Sequence, residues 1–149
     1  NGPAVTLDLS QVGQNGRLVF NGTAGQRVSV GLSGITISPG YCCDVGAVSI
    51  YSPGDVVLLA PMGFSNAGAG TPSQVLPVTG TYSIIVDPYI GRTGSVTVTL
   101  SEDLSPPPTV NGPAVTLDFR AGQNANLTFS GTAGQRISVG LSGITVGTG

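Results

Sequence analysis

The sequence predicts an all-β fold: a jelly-roll or Greek-key-like β-sandwich, present as one whole repeat and part of a second. Three observations carry that prediction. Apolar and polar residues alternate with period two almost throughout, and nothing longer than a few residues follows the helical period. Clusters of Gly, Pro, Asn and Asp interrupt the alternation at the spacing of tight turns. The opening residues NGPAVTLD, 1–8, return unchanged at 111–118, which marks a tandem repeat.

Taken in order, PAVTLDL sets Val5, Leu7 and Leu9 against Thr6 and Asp8, as a strand with one buried face requires. GRLVFNG supplies Leu18 and Phe20, and QRVSVGL supplies Val28, Val30 and Leu32. GAVSIYS places Val48 and Ile50 on one face. The run Val56-Val57-Leu58-Leu59-Ala60 is continuously apolar, a pattern that allows a strand covered on both sides. MGFSNAGAGTPSQ, residues 62–74, lacks alternation and is expected to be an irregular loop, where a binding surface would sit. GTYSIIVDP and GSVTVTLSE close the unit with Tyr82, Ile84 and Val86, then Val96, Val98 and Leu100. Seven or eight short strands within about 100 residues, joined by turns such as TAGQ, SPGD and DPYIGRTG, fit a sandwich.

The unit 1–101 is followed by SEDLSPPPTV. Pro106 to Pro108 cannot continue a ladder and favour a stiff extended path, so 102–110 is expected to be a linker. Residues 111–149 repeat the first three strands. GQNGRLVFNGTAGQRVSVGLSGITI from Gly13 matches GQNANLTFSGTAGQRISVGLSGITV from Gly122, with one residue dropped between the matched blocks. Gly149 aligns with Gly40. Three strands with an open apolar face do not make a stable sandwich alone. Leu117, Phe119, Leu127, Phe129, Ile137, Val139 and Leu141 are therefore the expected assembly interface. Another chain, further polypeptide, or exchange with residues 1–37 would complete it.

Charged residues are 8% of the chain, five Arg against seven acidic residues, with no Lys, His or Trp and a net charge of −2. That set cannot build a basic stripe for phosphates, so nucleic acid is excluded as a partner. The apolar runs are too short for a membrane-spanning helix, and the first residues show no basic region followed by an apolar stretch. A surface of Gly, Ser, Thr and Asn in place of Lys and Glu points to a secreted or cell-surface protein. Cys42 and Cys43 are adjacent, and a disulfide between neighbours is strained because successive Cα atoms lie about 3.8 Å apart. The pair is read three ways: a buried thiol beside a surface thiol, a disulfide between neighbours, or a cross-link between chains.

At FNGTAGQRVSVGLSG, VGAVSIYSPGDVVLLA and LPVTGTYSIIVDPYIGRTGSVTVTL, roughly residues 16–100, the chain resembles the bacterial pre-peptidase C-terminal type of β-sandwich. The resemblance implies a jelly-roll-like module of large secreted or cell-surface proteins, without catalytic residues and acting as an accessory, binding or spacer unit. Related members often carry a DLDLYL-like strand where this chain has CDVGAVSIY. Calcium-binding members use an acidic cluster near their start, where here Asp8 stands alone. Calcium is the single ion the resemblance brings, and otherwise no cofactor is expected.

Asp44, Asp55 and Asp87 sit beside Gly, Pro or a turn and are expected to cap turns. No catalytic residue and no metal ligand set is assigned: there is no His base, no Gly-x-Ser-x-Gly elbow and no calcium-loop spacing. Glu102 and Asp103 are expected to be solvated. Arg27 and Arg136, equivalent in the two copies, are expected to pair with an Asp of their own unit or pack along a strand. Asn21-Gly22-Thr23 and Asn126-Leu127-Thr128 satisfy the glycosylation triplet. The expected function is structural: a repeat of an extracellular fibre, stalk or adhesin whose partners are other copies of the same unit. The alternative is a carbohydrate-binding module of a secreted hydrolase, using loop 62–74 with Phe64 and tyrosines Tyr41, Tyr51, Tyr82 and Tyr89.

Overall fold

The computed structural model describes residues 1–38 and 44–145. Among them are nine strands and no helix: β1 (Val5–Leu9), β2 (Gly16–Gly22), β3 (Arg27–Ser33), β4 (Gly46–Ser52), β5 (Val56–Phe64), β6 (Ala69–Gly70), β7 (Gln74–Val75), β8 (Gly80–Pro88) and β9 (Gly94–Glu102). They form two antiparallel sheets of a sandwich, one in the order β1-β9-β3-β6 with β7 also on β3, the other β2-β8-β4-β5. Only β4 and β5 are consecutive strands paired with each other, so the chain crosses between sheets at most turns, as jelly-roll and Greek-key sandwiches do.

The alternation explains the core. Val28, Val30 and Leu32 of β3, Val48 and Ile50 of β4, Tyr82, Ile84 and Val86 of β8, and Val96 and Val98 of β9 all point between the sheets and are buried. A smaller cluster of Val28, Leu76 and Tyr82 closes one end, with Phe20 stacked on Tyr82 at a centroid distance of 5.4 Å. The Tyr82 hydroxyl donates to the Val78 carbonyl at 2.5 Å, which gives this buried phenol its partner.

Two expectations are corrected within this unit. The apolar run of β5 is not covered on both sides: β5 is the edge of its sheet, and Val56 and Val57 are exposed. An uninterrupted apolar run cannot by itself tell a central strand from an edge. Segment 62–74 is also not an irregular loop. β5 runs on to Phe64, a bridge joins Ser65 to Gly68, and β6 and β7 both lie on β3.

Residues 111–145 contain no strand among the described residues, although they repeat β1–β3. The ladders explain the difference. β1 pairs with β9, β2 with β8, and β3 with β9, β6 and β7. None of these five ladders joins two members of the triplet. A second triplet therefore lacks ladder partners of its own, and backbone pairing is not locally encoded.

The turns, by contrast, do form twice. Gln14 N–H donates to the Gln11 carbonyl at 3.0 Å while the Gln14 side-chain oxygen accepts from Gln11 N–H at 3.1 Å; Gln123 and Arg120 repeat both bonds at 3.0 Å. Thr23 and Gln26 are matched in the same way by Thr132 and Gln135. Gly13 and Gly122 hold φ of 78° and 67° in equivalent places, a conformation that glycine adopts without penalty.

Candidate functional site

The second copy presents an open groove of 530 Å³ whose walls include Leu117, Leu127, Phe129, Ile137, Val139 and Leu141. Six of the seven side chains expected at an assembly interface thus face one space. Phe119 does not line it and is exposed on its own. The same positions in the first copy are core: Val30 and Leu32 are 0% and 3% exposed, whereas Val139 and Leu141 are 82% and 81% exposed. The apolar side chains that the first unit buries are thus exposed in the second copy.

A second surface joins the two copies. The turn at 120–123 and the residues after it lie against the outer face of the β9-β3-β6 sheet. Gln123 Nε2 donates to the Glu102 carbonyl at 2.7 Å, and Asn124 Nδ2 donates to the Thr71 carbonyl at 3.1 Å. Leu104 N–H donates to the Asn124 carbonyl at 2.9 Å, and Asn126 N–H donates to the Leu104 carbonyl at 2.8 Å, with Leu104 and Ala125 in parallel register. Arg120 reaches the Gly2 carbonyl at 2.7 Å.

Glycines permit the approach. A Cβ on Gly31 would lie 2.0 Å from the Ala121 oxygen, and one on Gly122 would lie 2.4 Å from the Gly31 Cα. Ser29, Thr99 and Ser101 point away from the core by strand alternation, yet they too are buried. The Ser29 and Ser101 hydroxyls have no hydrogen-bond partner among the described residues.

The charged residues depart from expectation in two places. Asp103 is not solvated: its side chain is 3% exposed, with Arg27 Nε at 3.1 Å and the Ser73 hydroxyl donating at 2.6 Å to the same oxygen. Ser73 and Asp103 meet because β7 and the end of β9 both flank Arg27 on β3. That gives Arg27 the structural pairing its sequence context suggests, while its equivalent Arg136 is exposed. The three turn aspartates make no capping bond through their carboxylates among the described residues. Asp55 takes the left-handed conformation, φ 59°, and faces Arg17 at 3.8 Å on the surface. Asp87 lies inside β8 opposite Ala47, and Asp44 offers its main-chain carbonyl to Arg92 at 2.9 Å. Glutamine side chains close the turns instead, since the longer amide reaches back three residues to a free N–H.

Of the residues proposed for sugar stacking, Phe64 and Tyr82 are core and offer no ring face. Tyr51 is half-buried on β4, and Tyr89 is exposed beneath Arg92, whose guanidinium carbon is 6.0 Å from the ring centre. Tyr41, Cys42 and Cys43 lie outside the described residues. Asn21 is exposed on β2, where its side-chain oxygen accepts from the Thr81 hydroxyl at 3.0 Å. Asn126 lies in the junction. No group of three or more His, Cys, Asp or Glu that could hold a metal occurs among the described residues, and no helix is long and apolar enough to cross a membrane.

Sequence reasoning missed Gly122, Gln123 and Asn124 as contact residues. A signal was present: GQN is kept in both copies at a surface turn while neighbouring positions change, Gly16 to Ala125 and Arg17 to Asn126.

No family model and no curated protein matches the chain. Among solved structures, the chain is similar to PliG of Aeromonas hydrophila, a periplasmic lysozyme inhibitor of g-type lysozyme. The two are 18% identical with a TM-score of 0.42, over 66% of this chain and 86% of that one.

Proposed function

We propose that the chain is a structural repeat module of an extracellular fibre, stalk or adhesin, in which units complete one another by strand complementation. One observation carries the reading. The triplet 111–145 keeps the turns and apolar positions of β1–β3, and all the ladder partners of that triplet in the first unit come from β6–β9. Strands of the β8 and β9 kind, from further polypeptide or from another copy, are the occupants whose register and side-chain alternation fit the groove.

Burying a Val, Leu, Ile or Phe side chain is worth about 1.5–3 kcal/mol, so six such residues supply a large driving force for completion. The module works through fit and main-chain ladders; in this reading it is not an enzyme and needs no cofactor. A repeat of the bacterial pre-peptidase C-terminal type at a cell surface would have this character, as would the low charge of the chain.

The test extends the chain. Residues 41–102 are appended after Gly149, where the alignment with Gly40 places them, so that the second triplet is followed by its own β4–β9. Backbone amides of 127–141 should become protected, and a second cooperative unfolding unit should appear. If those amides exchange as freely as before, the reading is wrong.

A further inference from the structure

The turn that joins the second copy to the first has an unoccupied twin. Gln11–Asn15 has the same hydrogen bonds and the same positive-φ glycine as Arg120–Asn124, and it carries the same Gly, Gln and Asn: Gly13, Gln14 and Asn15. Those are the three positions whose side chains, or lack of one, make the junction. The other junction bonds use main-chain atoms, apart from the Arg120 guanidinium, for which Gln11 offers an amide donor. Yet residues 10–15 are exposed along their whole length.

One residue of the receptor face is also repeated. Gly31, against which Gly122 rests, corresponds to Gly140, and a Cβ on Gly140 would meet nothing within 4 Å. We propose that the Gln11–Asn15 turn is a docking plug for the outer β9-β3-β6 face of a preceding repeat unit, where it makes the contact that Arg120–Asn126 makes on this one. Each unit then carries a plug at one end and a receptor face on its first sheet. The contact is heterologous, so successive units are related by one fixed head-to-tail operation and the array grows as a stiff rod or helix.

The inference rests on the reading of the chain as a repeat array, and it names how neighbouring units are oriented. It does not depend on strand complementation, because the plug is a turn that forms without its flanking ladders. The short linker holds plug and receptor together at high effective concentration, so contacts as modest as these suffice.

The experiment places a further copy of residues 1–110 before Asn1 of the full chain, so that the turn at 11–15 follows a unit as the turn at 120–124 does. Side-chain amide exchange is read by NMR. In the unextended chain Gln123 and Asn124 should exchange slowly, while Gln14 and Asn15 exchange at the rate of free amides. With the added unit, Gln14 and Asn15 should slow by about tenfold, the protection of one hydrogen bond. Gly31→Val in the added unit should return them to the free rate while the amides of β3 and β9 in that unit stay protected. Unchanged rates at Gln14 and Asn15 would overturn the proposal, and so would slowing that survives Gly31→Val. Protection at 127–141 reports strand complementation separately, since an added preceding unit gives that groove no strands.

Discussion

Val30 and Val139 occupy one place in two copies of one sequence, and the first is completely buried while the second is 82% exposed. Their neighbours in sequence are nearly the same, Ser-Val-Gly-Leu in each case. What separates them is the presence of β9, with β6 and β7, beside β3 and the absence, among the described residues, of such strands beside 136–142. Burial at this position is a property of the ladder that the strand joins.

The pair should therefore respond differently to the same substitution. Val30→Ala removes packed methyl groups and leaves a cavity, which costs about 2 kcal/mol. Val139→Ala in the same chain should change stability by less than about 0.5 kcal/mol. In the chain extended by residues 41–102, Val139→Ala should destabilise the second unit about as much as Val30→Ala does the first. Denaturant unfolding of the three variants and their two parent chains checks this.

Tyr82→Phe removes the hydroxyl that bridges to Val78 and keeps the ring against Phe20. The Val78 carbonyl accepts from that hydroxyl, and Val78 N–H lies 3.3 Å from it, so both main-chain groups lose a partner. A loss of about 1–2 kcal/mol is expected, read as a lower urea midpoint at unchanged slope. Tyr82→Leu should cost more, because the stacked ring leaves as well.

The fold was legible where its cause is local or periodic. Alternation placed β1, β2, β3, β8 and β9, and Gly with Asn, Asp or Gln marked the turns. It failed where the cause is non-local. Whether Val56–Ala60 lies at an edge is settled by which strand β4 takes on its other side, and no window of sequence contains that choice. Phe64 goes to the core because β5 continues through a bulged register with β4. Asp103 is buried because Arg27 and Ser73 are brought to it from positions 76 and 30 residues away. The groove of the second copy could be read from the copy alignment, since its residues inherit the alternation of the first unit; the repeated GQN marked the junction turn but not its receptor, since every acceptor there is a main-chain carbonyl.

Arg27→Ala should destabilise the first unit by about 1.5 kcal/mol. It removes one charge-assisted bond to a carboxylate that is nearly sealed from water, and the half-exposed guanidinium moderates the loss. Ser73→Ala should have a similar direction, and the two should couple in a double-mutant cycle because both donors serve the same Asp103 oxygen. Arg136→Ala, on the exposed equivalent, should be neutral in thermal unfolding of this chain.

β5 exposes a long apolar edge at Val56 and Val57, broken only by Pro61. Such an edge invites pairing with another chain, and a charge on it blocks that pairing at little cost to the fold. Val57→Lys should leave the unfolding midpoint within about 0.5 kcal/mol of the parent and lower the rate of aggregation on heating. Light scattering against time at fixed concentration measures it; a variant that aggregates as fast as the parent would place the vulnerable surface elsewhere, with the groove of the second copy the next to examine.

The two triplets differ at three positions that are buried in the first unit, and each change adds volume: Leu9 becomes Phe119, Gly16 becomes Ala125 and Val28 becomes Ile137. In the first unit these sites are full. Leu9 and Val28 are almost wholly buried, and a Cβ on Gly16 would lie 2.6 Å from a Leu7 methyl. Overpacking of this kind costs about 1–3 kcal/mol per site, less where a flexible neighbour yields. The Gly16 site is of the yielding kind, because a methyl at the end of Leu7 can rotate. Carrying Leu9→Phe, Gly16→Ala and Val28→Ile together into the first unit should therefore lower its stability by about 2–5 kcal/mol, with Leu9→Phe the largest single term. The reverse set in the second copy, Phe119→Leu, Ala125→Gly and Ile137→Val, should make 111–145 a better competitor for β6–β9. Hydrogen exchange then gives the readout. In the parent, β1–β3 should hold their protection. In the reverted chain, protection should be shared between 5–33 and 115–142, as the two near-identical triplets exchange on one set of partner strands.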